Sequence, residues 1–115
     1  MNIAQALLNL AAQSMAATDG VMVGRWPRAA AVLGRQAIEA ALGDYWERTE
    51  PSIARSSMRA QLLCLPAYHD DPALAGDLSA AWASLSSACH YHPYDLPPTE
   101  HELRAWLTTA ARFAT

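Results

Sequence analysis

The 115-residue chain has no lysine. Its eight basic side chains are all arginine, against eleven carboxylates, for a net charge of −3. All-arginine usage is what GC-rich coding yields, so by itself it argues for no guanidinium-specific recognition. A mildly acidic total excludes the broad basic footprint of a general nucleic-acid binder and leaves room only for a local arginine cluster. There is a single phenylalanine, and Val and Ile are sparse, which argues against a β protein. The two cysteines, Cys64 and Cys89, allow at most one bridge. Both fall in apolar helical contexts and read as small buried hydrophobes rather than nucleophiles or ligands. No apolar run approaches the ~20 residues needed to cross a bilayer. The start, MNIAQALLNLAAQSMAA, lacks a basic leader, and Asn9 and Gln13 interrupt its apolar run. The expectation is a cytoplasmic protein without a secretory signal or membrane association, its thiols reduced.

What the chain does have is alanine, about a fifth of all residues and well above average usage, within a hydrophobic content of 52%. Alanine favours helix and lets helices pack closely. A chain of this length makes one domain, residues 1–115, and hides roughly two-thirds of its unfolded surface without staples.

Five helical segments are expected. The first runs from about Asn2 to Ala17, with Ile3, Leu7, Leu10 and Ala11 on its core face and Asp19–Gly20 ending it. The second begins at Trp26–Pro27, Pro suiting the first turn. One stripe joins Trp26, Ala30, Leu33, Ala37, Ala41 and Tyr45, widened by Ile38, Leu42 and Trp46. So broad an apolar surface implies neighbours on two sides. Arg35 and Glu39 can pair across one turn of its outer face. The third segment starts near Pro51, includes Ile53, Met58, Leu62, Leu63 and Leu65, and stops near Pro66. The fourth opens with Asp71 as N-cap and Pro72 at the first position. It buries Leu78, Trp82, Leu85 and Cys89, and ends by His92, because the residue before Pro93 avoids the α region. The fifth opens with a capping box, Thr99 with Glu102, then buries Leu103, Trp106, Leu107, Ala110 and Phe113. Glu100 and Arg104 form a further i,i+4 pair. Short connections make the class an all-α, up-and-down bundle.

The chemistry concentrates in SSACHYHPYDLPPTEHELRAW, residues 86–106, which holds three of the four histidines. Cys89, His90 and His92, with His69, Asp70 and Asp71 upstream, are metal-ligand types. Their spacing is poor: His90 and His92 would stand about 200° apart on a helix, and there is no Glu-x-x-His or His-x-x-x-His pair. No metal and no other cofactor is expected. Metal-free RNA cleavage asks for a base, an acid and a cation on one phosphate. His92 and His90 would move protons and Tyr94 would position the phosphate, but no arginine lies between Asp71 and Glu100. Arg59 and Arg55, one turn apart on the third segment, are the candidate phosphate-binding cations. The competing reading is a polar hinge, in which imidazole and phenol groups satisfy the carbonyls of a helix end while their rings cover the core edge.

Over nearly its full length, through LGRQAIEAAL, SSMRAQLLCL and AAWASLSSACHYHPYDLPPTEHELRAWL, the chain resembles the HEPN domains, small helical proteins named from higher eukaryotes and prokaryotes nucleotide-binding, and in particular HEPN-like proteins of actinobacteria. Active members carry an Arg, four to six intervening residues and a His. The toxin half of HEPN–nucleotidyltransferase pairs ends that motif in His-x-Tyr, which His92-Pro93-Tyr94 matches. The arginine positions are occupied here by Leu85, Ser86 and Ser87. The resemblance implies a homodimer and a module binding nucleotide or RNA, an accessory or toxin–antitoxin component with a degenerate site and a nucleotidyltransferase-type protein as partner. The alternatives are a metal-independent endoribonuclease using His92, and an interaction protein with no nucleic-acid ligand.

Overall fold

In the computed structural model the described residues are 1–16, 26–90, 94 and 96–115, Trp26 by its backbone alone. They form five helices and no strand: α1 (Ile3–Ala16), α2 (Trp26–Thr49), α3 (Met58–Tyr68), α4 (Pro72–Ala88) and α5 (Glu100–Ala114), with a 3-10 turn at Ile53–Arg55. The fold is therefore an all-helical bundle, as the alanine content and the periodicity dictate.

α2 is the central element. Its broad apolar surface lets it pack against α1, α4 and α5 together. Ala30, Ala31, Ile38, Leu42 and Trp46 are completely buried along it. α4 contributes Leu78 and Leu85, and α5 contributes Leu103, Leu107, Ala110 and Phe113. The predicted stops and starts hold where side chains make them. Asp71 Oδ1 accepts the Leu74 amide at 3.1 Å. Thr99 Oγ1 accepts the Glu102 amide at 3.1 Å, and Glu102 returns a carboxylate oxygen to the Thr99 amide at 2.9 Å. The Arg35–Glu39 and Glu100–Arg104 pairs form at 3.6 and 2.7 Å. The Asp19–Gly20 stop and the Trp26 side chain lie outside the described residues.

α1 agrees with expectation at Ala11 and differs from it at Ile3 and Leu10. Its buried residues are Ala4 and Ala11, supported by Leu8 and Met15, while Ile3 and Leu10 face solvent. The two stripes are adjacent on the helix, and apolar spacing alone does not choose between them. The alanine stripe wins because small side chains let α1 lie close against its neighbours.

The third segment also differs. Instead of one helix from Pro51 there is a 3-10 turn, an extended Ser56, and then α3 capped by Ser57. Serine side chains compete for backbone groups and so break the run. The junction is held by Gln61, a buried polar side chain, whose amide donates to Ser56 O at 2.8 Å and Ala54 O at 3.4 Å. α3 runs past Pro66 to Tyr68, closed by the His69 amide on Leu65 O at 2.9 Å.

Candidate functional site

Contacts along the bundle fix which residues share a level. A β-carbon on Gly34 would stand 3.3 Å from Leu85 Cδ1 and 2.7 Å from Leu107 Cδ2, so mid-α2, late α4 and mid-α5 meet there. At the other end Tyr45 faces both His69, at the entry to α4, and Phe113, near the end of α5. α4 therefore runs antiparallel to α2, and α5 parallel to it. Six residues back from Gly34, about 9 Å along the axis, lies Arg28. The same step along α5 leads back from Leu107 to His101. His90 lies five residues on from Leu85, just past the end of α4. Helices packed at 8–10 Å between axes thus bring one guanidinium and two imidazoles to one end of the bundle, and all three residues are exposed.

The end of α4 is closed by its own backbone. The Cys89 amide donates to Leu85 O at 3.1 Å and Ser86 O at 3.3 Å, and the His90 amide to Ser87 O at 3.2 Å. Tyr94 is 99% exposed, so its ring does not cover the core edge, and that part of the hinge reading is corrected. Tyr91, His92 and Pro93 lie outside the described residues. Cys64 and Cys89 are free thiols, half-buried and packed against the core.

Arg55 ends the 3-10 turn and Arg59 opens the second position of α3; both are exposed. The connection at 69–71 folds α4 back along α3, which sets Arg59 roughly level with Trp82, about 12 Å of helix below His90. Arg35 lies at that same level, its guanidinium 5.3 Å from the Trp82 ring centroid. Neither residue stands beside His90. Arg28 is the cation that sequence reasoning passed over, since a helix-face arginine some 60 residues from His90 carries no local signal. Only the antiparallel order of α2 and α4 brings it to that end.

His69 sits at the opposite end, between the rings of Tyr45 and Phe113 at 5.7 and 5.6 Å. Its Nδ1 accepts the Asp71 amide at 3.0 Å, which places the ring proton on Nε2 in the neutral form. His69 thus braces the α3–α4 turn and is separated from His90 by the length of α4. Among the described residues no three His, Cys, Asp or Glu side chains gather in a metal-binding group, and no helix is long and apolar enough to cross a membrane.

No family model, no curated protein and no solved structure matches the chain.

Proposed function

We propose that the protein is a HEPN-type helical module that binds RNA or nucleotide phosphate at the Arg28–His90–His101 end, working as a dimeric cytoplasmic accessory component beside a nucleotidyltransferase-type partner. The observation that carries this reading is the shared level of Arg28, His90 and His101 at one end of the bundle. A guanidinium fork and imidazoles at one end of a bundle are groups that recognise phosphate.

Binding fits this set better than cleavage does. Catalytic groups are held by packing and supporting hydrogen bonds to within about half an ångström, and Tyr94 is nearly fully exposed. Arg59 and Arg35, about 12 Å along the axis from His90, would meet neighbouring nucleotides rather than the phosphate at His90. They extend a binding track and do not complete a catalytic centre.

The test is fluorescence anisotropy with end-labelled single-stranded RNA, in EDTA. Arg28→Ala is expected to weaken binding by about tenfold and to flatten the salt dependence by about one phosphate contact, leaving the RNA intact. Equal binding by wild type, Arg28→Ala and His101→Ala would overturn the reading. Metal-independent cleavage lost in His92→Ala would replace it with the ribonuclease. A copurifying protein with no RNA affinity in either form would replace it with the pure interaction module.

A further inference from the structure

α1 packs Leu8 and Met15 toward its own core but turns a second apolar stripe away from it. The residues it buries completely are two alanines, Ala4 and Ala11. The larger Ile3 and Leu10 are turned outward, 70% and 48% exposed, with Met1 beside them at 88%. Ile3, Leu7 and Leu10 follow one another at the four- and three-residue spacing that makes a single stripe.

We infer that a second copy of this chain docks on that stripe, α1 against α1 across a twofold axis. Charge decides the kind of occupant. The segment IAQALLNLAAQSMA contains no ionisable side chain, in a chain of net charge −3. A basic or acidic partner finds nothing complementary on this face, whereas two identical neutral faces meet without repulsion. A twofold interface needs one self-complementary patch and nothing else. Asn9 and Gln13, exposed and uncharged, supply a polar rim able to pair amide to amide.

Area sets the size class of the interface. Met1, Ile3, Leu7 and Leu10 together expose on the order of 400 Å² of apolar surface, the size of patch that is often functional on a small protein. With the rim, two copies bury about 1,200 Å², the lower edge of specific interfaces. An interface at this lower edge is that of a reversible association rather than an obligate dimer. The inference gives the dimer expected above its interface, and it stands on α1 alone, independent of RNA binding.

Sedimentation velocity across about 1 to 100 µM tests it. Wild type is expected to shift from monomer to dimer over that range. Leu10→Glu, at an exposed position, is expected to stay monomeric with unchanged helicity and unchanged RNA affinity per chain. Leu7 lies nearest the middle of the stripe and so nearest the axis. Leu7→Cys, in a Cys64→Ala, Cys89→Ala background, is expected to oxidise to a covalent dimer. A wild type monomeric throughout, a dimer indifferent to Leu10→Glu, or a Leu7→Cys chain that fails to cross-link while still dimerising would each overturn the inference.

Discussion

Gly34 and Leu107 approach so closely that a β-carbon at position 34 would sit 2.7 Å from Leu107 Cδ2. A side chain at residue 34 would have to displace the Leu107 methyl where α2 meets α4 and α5. Gly43, nine residues on, has nothing within 4 Å of its hypothetical β-carbon.

The two glycines should therefore respond oppositely to enlargement. Gly43→Ala is expected to raise stability by about 0.5–1 kcal/mol, the helix-propensity difference. Gly34→Leu is expected to lower it by about 3 kcal/mol through overpacking. Thermal unfolding of both variants checks this, and a stabilised Gly34→Leu would refute the packing.

Gln61 ties the 3-10 turn to α3 through two carbonyls. Gln61→Leu keeps the bulk and removes the donors, and is expected to cost about 1–2 kcal/mol. Hydrogen exchange at the amides of Ala54 and Ser56, which close the 3-10 turn and bond to Pro51 and Ile53, should accelerate more than exchange in α5. Uniform acceleration would show that the tie is not local.

The Thr99 amide and hydroxyl both hold Glu102, and they keep its carboxyl below the usual glutamate value. A lowered folded-state value means the contribution is fully present above the ordinary glutamate pKa and is lost as pH falls through the lowered one. α5 should fray in that acidic window. Thr99→Ala is expected to cost about 1 kcal/mol at neutral pH and to flatten the acid dependence. An identical acid profile in the variant would contradict the capping box as the source.

Cys89 and His90 are not expected to hold zinc. Metal analysis of protein purified without added metal should find well below one zinc per chain. A stoichiometric zinc content lost on His90→Ala would overturn this.

The sequence made the helices legible wherever a side chain writes its own boundary. Asp71 with Pro72, and Thr99 with Glu102, mark their helix starts by chemistry local to a few residues, and the structure agrees with both. α2's central place was legible from the width of its apolar surface. α1's orientation was not, because Ile3–Leu7–Leu10 and Ala4–Leu8–Ala11 are equally periodic and only the neighbours decide which is inside. The break at Ser56–Ser57 was hidden by apolar residues on either side of it. At the candidate site His90 was visible as part of a histidine-rich joint. Arg28 was not, because its relation to His90 exists only once α2 and α4 run past each other.

The buried alanines of this bundle, Ala4, Ala11, Ala30, Ala31 and Ala75 among them, make its interior asymmetric toward change. A core of leucines is injured mainly by truncation, which opens holes. A seam of alanines has almost nothing to lose and is injured by growth. One added methylene pushes apart two backbones that were nearly touching. Such a seam should tolerate drift toward glycine better than drift toward valine. Its helices hold their spacing because the side chains between them are already the smallest that still favour a helix.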